Sequence, residues 1–193
     1  MANQGLRLIV GLGNPGLEYE NTRHNAGVWF VNEIAQANNV LLRHDKKFKG
    51  FHGVTQIDHQ ECHLLIPTTF MNLSGQSVTP CAAFYKILPN QILVAHDEID
   101  IPVGDIRLKF EGGHGGHNGL RDIIAKLGTK SFHRLRIGVD RPKAGGDVSD
   151  YVLHKPAKSE RVSIDACLQK AITTLPLIVA GQFQKAMSTL HSS

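Results

Sequence analysis

Residues 6–16 read LRLIVGLGNPG, an apolar run closed by Gly11, Gly13 and Gly16. The run has the length and apolar character of a buried strand, and the glycines at its end mark a tight turn. A strand that feeds a turn and then a helix is the opening unit of an α/β sheet, so this stretch decides the fold class. Its letters also satisfy G-x-G-x-x-G, but a dinucleotide site fails on two physical counts. Pro15 lacks the backbone N–H that a phosphate cradle needs at a helix start. The acidic residue expected roughly 20 residues on, at the end of a second strand, is missing; Glu33 falls inside a helical pattern instead.

Outward from this stretch, strand and helix patterns alternate. Residues 25–39 read as a helix with apolar Val28, Phe30, Val31, Ile34 and Ala35. Residues 51–57 and 62–67 read as a hairpin with DHQE, 58–61, as its turn. A helix over 74–88, opened by Ser74 with Pro80 early, precedes a strand over 91–97. Residues 105–110 read as a strand, 115–128 as a helix closed by Gly128, and 133–139 as a strand. The chain from 158 to 190 is mostly helical, with breaks expected near Pro176 and Gly181. RHDKKFK, 43–49, reads as a charged surface loop. These patterns predict a single three-layer α/β domain over 1–193, with a mixed central sheet flanked by helices. Ligands in such sheets sit at the carboxyl ends of strands, where the polar segments 11–25, 96–100 and 112–118 fall.

Composition narrows the class. The chain has 193 residues, 41% hydrophobic and 20% charged, which is ordinary for a globular protein with a real core. No run approaches the roughly 18 uninterrupted apolar residues of a membrane span. The amino-terminal apolar run flows into the glycine turn without a small-residue cleavage site, so it reads as a strand rather than a leader. Three scattered cysteines without a C-x-x-C pair argue against a disulfide framework or a structural zinc site and for a cytoplasmic location. Lysine and arginine total 21 against 17 acids, a net charge of +4 that permits a polyanionic partner.

The glycine turn continues into NPGLEYENTRHNAG, which sets Asn14, Tyr19, Arg23, His24 and Asn25 in a polar loop at a strand end. The whole stretch resembles the amino-terminal motif of the bacterial peptidyl-tRNA hydrolase family. TFMNLSG (69–75) resembles that family's second block, and the stretch 96–123, HDEIDIPVGDIRLKFEGGHGGHNGLRDI, its third. FHRLRIGV (132–139) and YVL (151–153) continue the likeness.

The resemblance implies cleavage of the ester that joins a peptide to the 3′ ribose of tRNA, with the acceptor stem and CCA end as partner and no cofactor, metal or membrane. It implies His24 as catalytic base and Asp97 as the carboxylate that orients it. Histidine titrates in the range that water activation at neutral pH requires, and a carboxylate fixes its tautomer. Asn14, Asn72 and Asn118 are implied to bind water, scissile carbonyl and peptide backbone, since an amide offers both donors and an acceptor. Met71, beside Asn72, reads as an apolar wall of the cleft or as a core methionine, and Tyr19 as a stacking ring for the terminal adenine or a substrate side chain, or as a cover for its own loop. Lys109 and Arg136 are implied to grip the 5′ phosphate end of the acceptor stem. Arg134 and Arg136 alternate on one strand and so share a face. The glycines around His114 and His117 read as a loop that starts a helix, whose amides can hold an anion. Two other readings stand beside this one: an RNA-binding module without chemistry, and a metal-dependent peptidase of similar architecture. A monomer is expected.

Overall fold

The computed structural model describes residues 4–192. Its strands are β1 (Leu8–Gly11), β2 (Arg43–Asp45), β3 (Gly50–Ile57), β4 (Gln60–Pro67), β5 (Ile92–Glu98), β6 (Ile106–Phe110) and β7 (His133–Gly138). They form one sheet in the order β2-β3-β4-β1-β5-β7-β6. The central pairs β4·β1, β1·β5 and β5·β7 are parallel, and β2·β3, β3·β4 and β6·β7 are antiparallel. The helices are α1 (Ala26–Ala37), α2 (Gly75–Phe84), α3 (Asn118–Leu127), α4 (Val148–Val152), α5 (Lys158–Val179) and α6 (Phe183–His191).

Alternation along β1 explains the layering. Ile9 turns into one core, with Phe30 and Ile34 of α1 and Ile164, Leu168 and Ile178 of α5. Leu8 and Val10 turn into the other, with Val78 and Cys81 of α2 and Leu120 and Ile123 of α3. The mixed three-layer α/β architecture is the one the sequence predicts. By length and composition α5 could cross a membrane, but its apolar stripe is buried against the sheet.

Close backbone approach sets the start of α1. A Cβ at Gly27 would lie 2.1 Å from the Ala95 carbonyl oxygen of β5 and 2.6 Å from the Leu12 nitrogen. Real Cβ atoms do not come that near, so only glycine lets the first turn of α1 rest on the ends of β1 and β5. That contact carries the residues just before α1 to the carboxyl edge of the sheet.

The structure corrects several local expectations. Residues 43–49 include β2, which among the described residues is an edge strand paired to β3; its charged letters carry no apolar alternation, and charge is how exposed edges are protected. The hairpin turn is the two residues Asp58 and His59, both at positive φ, while Gln60 and Glu61 pair with Ile57 and Gln56. That is the turn whose twist matches the flanking strands. Ser74 does not cap α2: it is itself helical, and its Oγ donates to the Met71 carbonyl at 2.7 Å. The cap comes from α3, where Asp122 Oδ2 accepts from the Gly75 N–H at 2.7 Å. Helix α2 stops at Phe84, short of the expected 88, and the left-handed Lys86 follows it. Pro176 lies within a continuous α5, and the break falls at Gly181 alone. Burial of Ala171, Leu175 and Ile178 around it outweighs one lost backbone hydrogen bond.

Candidate active site

Loops from four strand ends, with the start of α3, enclose a cleft of about 800 Å³ at the carboxyl edge of the sheet. Asn14 and His24 reach it from the loop after β1, and Met71 and Asn72 from the turn after β4. Asp97 comes from the end of β5 and Asn118 from the first residue of α3. Val148, Val152 and Leu153 form an apolar wall with Phe70 and Leu73. Six of the residues singled out from sequence thus meet in one place. Tyr19 is half-buried and outside the lining.

Asp97 is the centre of the arrangement and only 4% exposed. His24 Nδ1 lies 2.9 Å from its Oδ1 and 3.0 Å from its Oδ2. His117 Nε2 lies 2.8 Å from the same Oδ1. The tautomer of His117 is set from its other side. Its Nδ1 accepts from the Gly119 and Leu120 amides at 3.2 and 3.4 Å, capping α3, so Nε2 carries the proton that Asp97 accepts. The capping ring therefore takes up two of the helix-start amides that the sequence left open for an anion. Burial would push Asp97 upward, but the two imidazoles beside it hold its carboxyl far below the usual range. It is a buried, permanent anion with two ring donors.

Burial lowers His24, yet the charge of Asp97 and the hydrogen bond to it outweigh that, and the net shift is upward. Donation from Nδ1 to Asp97 leaves Nε2, without a partner among the described residues, as the lone-pair nitrogen. The pair can therefore take a proton from water and stabilise the imidazolium that results. His96 sits behind His117, ring to ring at 5.0 Å. Complete burial pushes it down to about 3, so it stays neutral and donates from Nδ1 to the Asp97 carbonyl.

The amides divide their work. Asn14 Oδ1 accepts from the Met71 N–H at 2.7 Å, tying the two cleft loops together and leaving Nδ2 as a donor. A reciprocal pair with Asn25, at 2.9 and 3.0 Å, holds the Asn14 backbone. Asn118 accepts from Arg121 at 3.2 Å, and Asn72 is exposed in the cleft. Met71 is 4% exposed, and its sulfur meets the start of α3 so closely that a Cβ at Gly119 would come within 2.6 Å.

The basic residues separate by environment. Lys109 pairs across strands with Arg134, and Arg107 with Arg136, so all four share one sheet face. Arg136 reaches the cleft rim, Nε to Glu98 Oε2 at 3.3 Å, whereas Lys109 is exposed. Arg134 is 2% exposed and donates to the Gly112, Gly113 and Lys130 carbonyls, so it braces the glycine loop. Spacing alone assigned Arg134 only to a shared face, and assigned His117 and Asn25 no partner; the partner of His117 lies 20 residues away, and that of Asn25 lies 11 residues back in the same loop.

Fold and site together define an α/β protein with a cleft at the carboxyl edge of its sheet, in which a buried carboxylate is bonded to two histidines. The peptidyl-tRNA hydrolase family model matches residues 8–193. Similar chains include the peptidyl-tRNA hydrolases of Psychrobacter arcticus, 53% identical over 96% of this chain and 96% of that one, and of Coxiella burnetii, 52% identical over 97% and 98%. The crystal structure of peptidyl-tRNA hydrolase from Acinetobacter baumannii superposes with a TM-score of 0.94 at 48% identity, covering 100% of this chain and 96% of that one. The chain belongs to the peptidyl-tRNA hydrolase family and is an enzyme of the hydrolase class.

Proposed function

We propose that the enzyme hydrolyses the ester between the peptide and the 3′ ribose of tRNA, with His24 as general base and Asp97 as its orienting carboxylate. The observation that carries this reading is the His24–Asp97 pair, 2.9 Å apart inside the cleft. His24 Nε2 takes a proton from water as the oxygen attacks the ester carbonyl. The same proton passes to the departing 3′ oxygen when the tetrahedral intermediate collapses, giving free peptide and tRNA. Asn14 Nδ2 and the amides of Asn72 and Asn118 supply neutral donors and acceptors for the carbonyl and peptide backbone, and Met71 backs them. Tyr19, outside the cleft wall, is left for the terminal adenine. Lys109 and Arg136, diagonal neighbours on the face that meets the rim, suit the 5′ phosphate end of the acceptor stem. In this reading the enzyme is a cytoplasmic monomer.

One observation favours a metal reading: ligand atoms of His24, Asp97 and His117 all lie within 4.8 Å of one another. The nitrogen–oxygen separations of 2.8 to 3.0 Å are those of shared protons. Zinc bonds of about 2.0–2.1 Å in a tetrahedron would push those atoms farther apart. The base reading is tested with N-acetyl-aminoacyl-tRNA by following release of deacylated tRNA. His24→Ala should abolish turnover with the fold intact, and a variant that keeps more than a tenth of the wild-type rate overturns the assignment.

A further inference from the structure

Arg23 precedes His24 in the sequence, yet its side chain takes no part in the proton chemistry and is nearly as buried as the core, 8% exposed. Among the described residues, the polar contacts of its guanidinium all go to one distant segment, and Nε has no partner. Nη1 donates to the Tyr151 and His154 carbonyls at 3.1 and 3.3 Å. Its Cζ lies 4.0 Å from the centre of the Tyr151 ring, and Nη2 lies 3.7 Å from Glu160 Oε1. The Arg23 backbone N–H adds a bond to the His154 carbonyl at 3.1 Å. Tyr151 is held in turn, its hydroxyl donating to the Val139 carbonyl at 2.7 Å.

The segment that Arg23 grips is the cleft wall. Val148, Ser149, Val152 and Leu153 line the cavity on α4 and just after it. Helix α4 has only five residues, too short to hold itself in place. A buried cation that satisfies two carbonyls and stacks on an aromatic ring is a strong, geometrically specific clamp. A lysine could match the charge but not the planar group stacked on the Tyr151 ring.

We infer that Arg23 is a positioning residue that fixes the α4 wall relative to the base-bearing turn, so that the acyl group of the substrate meets a preformed surface. The inference rests on His24 being the base, since that makes the cleft the acyl site. Arg23 acts on binding of the acyl part and not on proton transfer.

The test compares wild type, Arg23→Met, Arg23→Lys and Tyr151→Leu on two substrates, N-acetyl-aminoacyl-tRNA and a tRNA carrying a blocked tripeptide. Arg23→Met should raise KM for the tripeptidyl substrate roughly tenfold, about the effect of one lost charge-assisted hydrogen bond. KM for the short substrate should change much less, kcat should stay within a few-fold, and the acid limb of the pH profile should not move. Tyr151→Leu, which attacks the same clamp from the wall side, should reproduce that pattern, and Arg23→Lys should recover only part of it. Hydrogen exchange should quicken at residues 149–154 in both Arg23→Met and Tyr151→Leu. An unchanged KM in the folded Arg23→Met and Tyr151→Leu variants overturns the inference. So does equal loss of kcat on both substrates with a displaced acid limb, which would mean that Arg23 acts on the base. If Arg23→Met does not fold, Tyr151→Leu decides alone. Failure of the base reading shows separately, as turnover by His24→Ala.

Discussion

Replacing Asp97 with asparagine should inactivate the enzyme through the tautomer of His24. The amide keeps the shape of the carboxylate but has one acceptor and one donor end. His117 Nε2 must donate, because its Nδ1 is committed to the amides of α3. The asparagine oxygen is therefore held at the position of Oδ1, where His117 lies 2.8 Å away. Its NH2 group then occupies the position of Oδ2, 3.0 Å from His24 Nδ1. Nδ1, which also lies 2.9 Å from the Oδ1 position, then meets one acceptor shared with His117 and one opposing donor, a balance that shifts the ring toward the tautomer protonated on Nε2, with no lone pair turned to water. Inversion of this kind in a histidine–aspartate pair costs about 10⁴ in kcat, or about 5 kcal/mol of barrier. The pH profile should move as well. A base is active when neutral, so activity falls on the acid side as His24 protonates. Burial lowers His24 and Asp97 more than reverses that; without the carboxylate charge only burial remains. The acid limb of the residual activity should therefore lie at lower pH than in wild type. The assay is the initial rate of tRNA release from N-acetyl-aminoacyl-tRNA between about pH 5 and 9, the range over which histidine titrates. A variant that retains a tenth of the wild-type rate, or an acid limb that stays put, would refute the orienting role.

Lys109→Ala or Arg136→Ala should weaken tRNA binding and flatten its salt dependence by about one unit of log–log slope per lost contact. Substrates that lack the acceptor stem should be unaffected; equal losses on both would mean a structural role. Blocked aminoacyl-tRNA should be cleaved far faster than its free-amine counterpart, because neutral amides that pair with a peptide bond leave a donor facing an ammonium group, a mismatch worth up to about 10⁴ in rate. Asn72→Ala and Asn118→Ala should shrink that ratio as well as the rate, and equal cleavage of the two esters by wild type would sink amide recognition. Activity should survive EDTA, whereas a loss that zinc or magnesium restores would favour the metal reading. Gly27→Ala should destabilise the protein by about 3 kcal/mol or more, since its Cβ would meet the Ala95 carbonyl oxygen at 2.1 Å; thermal denaturation with an unchanged midpoint would contradict the close approach.

Much of the molecule was legible without coordinates, because strand and helix periodicities are local. The run that becomes β1, the amphipathic α3 closed by the left-handed Gly128, and the mixed sheet all follow from spacing and turn chemistry. Motif likeness to one family carried His24, Asp97 and the three asparagines, and those residues do converge in the cleft. What spacing could not supply is whatever depends on partners far along the chain. β2 carries no pattern of its own and exists because β3 lies beside it. Pro176 stays helical because the core on one side of α5 outweighs a missing N–H. Arg134, Arg136 and Lys109 look alike as letters, yet burial makes one a brace and leaves the others to meet solvent. Asp97 accepts from His24, 73 residues away, and from His117, 20 residues away, and Arg23 grips a wall 128 residues on. Local letters set which chemistry each residue can offer. Three-dimensional packing alone decides which groups share a proton, because burial and distance, and not order along the chain, govern electrostatics.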